Sequence, residues 1–146
     1  YAQSTLLEWD LMETSADLAQ AATRISASPR MRDDMPTAIG YALGHAAGIF
    51  QQAPECWQQT IDISGDGLNN EGFPPALAYR HFPLADVGVN ALVVGGNQEL
   101  VTFFAENVIK GPGAFVETAR NYEDFERAMR RKLEREVASR PVGELR

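Results

Sequence analysis

Cysteine is nearly absent from this chain. Cys56 stands alone, which excludes an internal disulfide and a multi-cysteine zinc site. Positive charge is scarce as well: 13 Lys and Arg against 20 Asp and Glu leave a net charge of −7. Nucleic-acid binding needs a basic stripe to neutralise phosphates, so that balance disfavours it. No apolar run approaches the ~20 residues of a membrane-crossing helix; the longest, Val87 to Val94, has the length of a strand. Neither a Met nor a basic leader opens the chain at Tyr1, and no secretion signal is visible there. There are two histidines, His45 and His81. Neither has a Cys, His or acidic partner at metal-ligand spacing, and both are expected on the surface. Gly95-Gly96 and Gly111-Pro112-Gly113 read as turn or helix-entry glycines. Neither forms Gly-x-Gly-x-x-Gly after a strand, so a dinucleotide site is not expected. Ser64 lacks the Gly-x-Ser-x-Gly setting of a nucleophile elbow.

The rest of the composition is that of a packed domain, with 45% hydrophobic residues in 146. Residues 4–9 read as a short strand. Thr14 or Ser15 caps a helix to about Ser26, with Leu18, Ala21, Ala22 and Ile25 on one face. Ser28-Pro29 breaks it, and Met31 to Met35 forms a polar loop. A second helix runs from about Pro36 to Gln51, with Ile39, Ala42, Leu43, Ala46, Ala47 and Phe50 in helical spacing. Gly40, Gly44 and Gly48 recur on it at intervals of four and suit close packing against a sheet. A strand follows at 59–64, with Cys56 as a small buried hydrophobe near its start. Pro74 and Pro75 open a short helix ending near Phe82. Val87 to Val94 is a buried strand, near-continuously apolar as in a parallel sheet. A helix at about 98–108, a strand from Ala114 to Thr118 and a last helix capped by Asn121 complete the pattern. Tyr122, Phe125, Met129, Leu133 and Val137 form that helix's apolar stripe. Its charged residues, Lys132 among them, mix signs and are expected in solvent. Strands alternating with helices predict a Rossmann-like α/β fold, a parallel sheet with helices on both faces. Residues 1–138 make up the domain and 139–146 a frayed tail.

The most informative run is Thr60-Ile61-Asp62-Ile63-Ser64-Gly65-Asp66-Gly67-Leu68-Asn69-Asn70. An apolar strand ends here in a carboxylate and a Gly/Asn loop, at the carboxyl end where ligands bind in open α/β sheets. Asp62, Ser64 and Asp66 share one side by alternation, and three oxygens at period two suit a hard cation such as Mg²⁺. Asp66 is the leading ligand candidate; the plainer reading is a loop Asp bonded to nearby backbone. For Asp62, inside the strand, the plainer reading is a buried acid satisfied by its neighbours. Thr37 opens the second helix, as a metal ligand or as an ordinary N-cap. Asn69 and Asn70 suit a turn that visits left-handed geometry, with Asn69 also a candidate supporting residue behind a metal ligand.

Pro36-Thr37-Ala38-Ile39-Gly40 before an Ala-rich helix, followed by Ile61-Asp62-Ile63-Ser64-Gly65-Asp66-Gly67-x-Asn69-Asn70, resembles the von Willebrand factor type A fold. The nearest branch is one of bacterial proteins known only as a domain of unknown function. Glu106-Asn107-Val108-Ile109, Gly111-Pro112-Gly113-Ala114-Phe115-Val116 and Phe125-x-x-Ala128-Met129-Arg130-Arg131-Lys132-Leu133 also look typical of that branch. The resemblance implies a metal-ion-dependent adhesion site built from three loops. Thr37 matches the second loop and Asp66 the third, while the first motif, Asp-x-Ser-x-Ser, is missing. It further implies a carboxyl-terminal portion of the fold without its central first strand. Another polypeptide, a further chain segment or strand exchange in an oligomer would then complete the sheet. The expected function is a non-enzymatic protein-binding module with a partial, weak Mg²⁺ site. The alternatives are a metal-independent scaffold or complex subunit, and a metal-dependent hydrolase using Asp62 or Asp66. That hydrolase would lack an accompanying base, a lysine and a second acidic cluster. The branch is usually periplasmic or exported.

Overall fold

The computed structural model describes residues 3–29 and 35–138. The expected tail at 139–146 and most of the loop between Met31 and Met35 lie outside the described residues. In chain order the elements are α1 (Ser15–Ala27), α2 (Ile39–Phe50), β1 (Gln59–Gly65), α3 (Pro75–His81), β2 (Val87–Val94), α4 (Gln98–Asn107), β3 (Val116–Ala119), a 3₁₀ turn (Tyr122–Asp124) and α5 (Phe125–Ala138). The strands form one parallel sheet in the order β1-β2-β3. The α/β, Rossmann-like expectation holds, with helices on both faces of the sheet.

Side-chain alternation divides the core. Val87, Val89, Ala91 and Val93 of β2 face one way and join Ile61 of β1, Ile39, Leu43 and Ala47 of α2, Ala78 of α3, and Leu100 and Phe104 of α4. Leu92 and Val94 face the other way and meet Ala119 and Ala128 under α5. β2 is buried along almost its whole length, which explains why its sequence is apolar without alternation.

The first expected strand does not form. Residues 4–9 contain no strand, and Trp9 instead anchors the segment to the end of α2. Its indole nitrogen donates to the Ile49 carbonyl at 3.2 Å, and its ring lies 5.4 Å from that of Phe50. Leu6 and Leu7 are adjacent, so they cannot both face one side of a sheet. Helix α1 forms where expected, on a local signal: Thr14 and Asp17 make a reciprocal capping box, with Thr14 N donating to Asp17 at 2.7 Å. Among the described residues its expected apolar face stays uncovered. No residue of α1 is buried, and Leu18 and Ile25 lie in solvent.

Two further expectations are corrected. The α2 glycines approach the 73–82 segment beside α3, not the sheet. A Cβ on Gly40 would fall 1.9 Å from the Phe73 carbonyl oxygen, whereas Gly48 has nothing within 4 Å. Cys56 is exposed, because it lies in the irregular connection before β1 and not within the strand. His45 and His81 are exposed, as expected.

Candidate functional site

Two clusters meet around β1. The first lies at its carboxyl end, where the 66–71 loop is stitched to the start of α2. Thr37 N donates to Asn70 Oδ1 at 2.9 Å, and the Thr37 carbonyl accepts from Asn70 N at 3.0 Å and Glu71 N at 3.2 Å. Gly40 N donates to Asn69 Oδ1 at 3.2 Å. Helix α2 starts after Ala38, which has no side chain able to cap. Thr37 is therefore not its N-cap, and Asn69 satisfies a first-turn donor from across the fold. The two asparagines act through these bonds rather than through left-handed backbone, which no described non-glycine residue adopts.

The same stitching brings Thr37 to the loop that carries Asp66. A Cβ on Gly67 would lie 3.1 Å from Thr37 Oγ1, so a glycine there lets the hydroxyl sit close to the loop backbone. Asp66 is exposed, and its Oδ2 accepts from the Tyr122 hydroxyl at 2.7 Å. Tyr122 itself belongs to the turn before α5 and not to a buried stripe. The local donor set toward a cation is one carboxylate, Asp66, and one hydroxyl, Thr37. The Asn69 and Asn70 oxygens are engaged at the start of α2. Among the described residues, no group of three or more His, Cys, Asp or Glu side chains is placed to hold a metal ion. These two oxygens fit only a small part of the shell of a hard cation that keeps its waters.

Asp62 and Ser64 do not converge with Asp66. Asp62 turns under α5 and pairs with Lys132, and Ser64 is exposed on β1. This is the second cluster. Lys132 is 0% exposed, against the expectation of a solvated charge. Besides Asp62, its Nζ meets Glu136 Oε1 at 2.6 Å and lies 6.0 Å from the centre of the Phe115 ring. Asn90 ties the group to the sheet, donating to Glu136 at 2.9 Å and accepting from Phe115 N at 3.2 Å. Burial pushes the Asp62 carboxyl up; the Lys132 bond opposes this and neighbouring Glu136 reinforces it, so it stays above its ordinary range. Burial also pushes Glu136 up, but hydrogen bonds from Lys132, Asp62 and Asn90 together with the Lys132 charge outweigh it and hold Glu136 low. A lysine thus stands beside Asp62, contrary to expectation. It is fully enclosed and held between two carboxylates.

The expected α5 stripe is displaced by the same packing. Ala128 and Lys132 are the buried residues of α5, while Leu133 and Val137 are 47% and 64% exposed. Ala128 four residues before Lys132, and Glu136 four after, was the available sequence signal: a small residue allows the helix to approach, and the acid partners the lysine.

No curated protein and no solved structure matches the chain. A family model does match, over residues 1–141, and its description is a protein of unknown function, DUF1194. That match spans nearly all of the fold described above, and the chain belongs to this family.

Proposed function

We propose that this chain is a non-enzymatic protein-binding module that takes an additional strand on the free edge of β1. One observation carries this reading. In β2, the N–H groups of Val89 and Ala91 donate to Lys110 and Phe115, on the β3 side. The even-numbered residues of β2 therefore direct their backbone toward β1. In a parallel pair, a residue that directs both groups at its partner strand is aligned with one that directs both away. Gly88, Asn90 and Leu92 align with Thr60, Asp62 and Ser64. The backbone groups of these three β1 residues thus point away from the sheet, and all three residues are exposed. Such an edge is a template for strand addition. The likeness to the type A fold supports the same reading, with the occupant coming from a partner, a further segment or a complex subunit, in a periplasmic or exported setting.

Ser64→Pro tests it. Proline removes one outward donor and leaves the inward groups of β1 in place. The full chain should retain a specific polypeptide from its source cells, and Ser64→Pro should lose it. Equal retention by both would overturn the reading.

A cation at Thr37 and Asp66 is a second reading, supported by the close approach of the Thr37 hydroxyl to the Asp66 loop. It predicts weak binding by this chain alone. Mg²⁺ or Mn²⁺ should raise the thermal midpoint of the wild type slightly and leave Asp66→Ala unmoved. No shift in the wild type, or an equal shift in both, removes the metal and leaves a metal-independent scaffold whose capture survives EDTA.

A further inference from the structure

We propose that Asp66 and Gly67 form a spontaneous modification site, where the main chain rearranges through a succinimide to isoaspartate, and that the Tyr122 hydroxyl sets the rate. Neither strand addition nor a bound cation is needed for it. The sequence holds a single Asp-Gly or Asn-Gly pair, and it is this one. Ring closure brings an Asp side-chain carbonyl carbon onto the nitrogen of the next residue, and a glycine there has no Cβ to obstruct the approach. The fold leaves the pair accessible. Asp66 is exposed and Gly67 half-buried, just past the end of β1. Among the described residues no acceptor holds Gly67 N.

The chemistry needs only water. Gly67 N attacks Asp66 Cγ, so that the Cγ–N bond forms and one Cγ–O bond breaks. The departing oxygen leaves as water with the amide proton and one proton from solvent. Water then adds to the main-chain carbonyl of Asp66 and the old peptide bond breaks. The chain now runs through the former side chain, one methylene longer, with the former carbonyl as a free carboxylate. Two contacts bear on this. A Cβ on Gly67 would lie 3.1 Å from Thr37 Oγ1, so a bulkier and slower-closing residue there would crowd Thr37. Asp66 Oδ2 accepts from the Tyr122 hydroxyl at 2.7 Å. Closing the ring moves Cγ and expels an oxygen, so that bond has to be released first. The product would also strain the stitching to α2, because the added length falls beside the Thr37–Asn70 and Gly40–Asn69 bonds.

The test holds the full chain for weeks at neutral pH and body temperature. Its peptides are then mapped by mass spectrometry with electron-transfer fragmentation, which tells isoaspartate from aspartate. Isoaspartate should appear at position 66 of the wild type, preceded by a succinimide lighter by one water. Tyr122→Phe should form it about fivefold faster, the factor that one ordinary hydrogen bond holds back. Tyr122 is 69% exposed, so this variant removes the hydroxyl without opening the core, and circular dichroism checks that. Amide exchange at Gly40 should quicken as product accumulates. It should stay constant in Asp66→Glu, whose longer side chain closes such a ring far more slowly. No isoaspartate in either folded chain, over a time in which the urea-unfolded chain converts, overturns the site. An equal or slower rate in Tyr122→Phe overturns the control by Tyr122. Product without faster exchange at Gly40 overturns the link to α2.

Discussion

The two faces of the sheet are built on different principles. On one, α2, α3 and α4 close over an apolar interior in which Phe104, Leu43 and Val89 are fully buried. On the other, α5 rests on a small apolar patch and then on a lysine enclosed by two carboxylates and an asparagine. The first face gains stability from area removed from water. The second gains position: a buried ion pair adds little net stability over an apolar replacement, but removing one member leaves the others exposed to the full cost of burial. Its polar partners also fix which way α5 is turned.

The largest effects should come from breaking each face at its centre. Phe104→Ala should cost about 3–5 kcal/mol through an unfilled cavity. Lys132→Ala should cost about 3–5 kcal/mol for another reason, two carboxylates left without their ammonium. Chemical denaturation measures both. Replacing Asp62, Lys132 and Glu136 together by Leu, Met and Leu separates the causes: most of the lost stability should return. If the triple variant is as unstable as Lys132→Ala, the second face is held by packing alone and the contrast fails.

A smaller effect is expected where the loop after β1 meets α2. Asn69→Ala leaves Gly40 N without its acceptor and should cost about 1 kcal/mol, the usual value of a helix cap. Amide exchange should quicken at the first turn of α2 and stay unchanged in β2. The smallest effect concerns Asp124. The Arg120 N–H, and the Arg127 and Arg120 guanidiniums, hold its carboxyl below the ordinary range. A depressed carboxylate contributes stability that is present above its unfolded pKa and lost as pH falls through its folded value. Asp124→Asn should therefore lower stability slightly at neutral pH, leave it little changed at the acid end, and so flatten the acid limb of the stability–pH curve.

How much of this was legible in the sequence follows from what each signal reports. β2 was legible to the residue, because a buried parallel strand reads as a nearly continuous apolar run, interrupted here only by Asn90. Helix α1 was legible from the cap at Thr14 and the spacing after it, since a helix cap is a local signal. The burial of its apolar face was not, because periodicity shows that a stripe exists and not that anything covers it. The same ambiguity affected α5, where the longer stripe of Phe125, Met129, Leu133 and Val137 suggested the core and the shorter series Ala128, Lys132, Glu136 supplied it. Of the candidate site, Thr37 lies against the loop that carries Asp66, at Gly67. Asp62 was rightly expected to be satisfied by neighbours, yet its main partner lies seventy residues away on a helix read as solvated. No local pattern reports a pairing made only when the last helix docks.

The asparagine that bridges from the 66–71 loop to Gly40 has one more consequence. Helix α2 does not own the cap of its first turn; it borrows it from the segment beside Asp66. Anything that displaces that segment should fray the helix start some thirty residues earlier in the chain. A spectroscopic label near Ile39 would then register events at the far end of β1 without touching them.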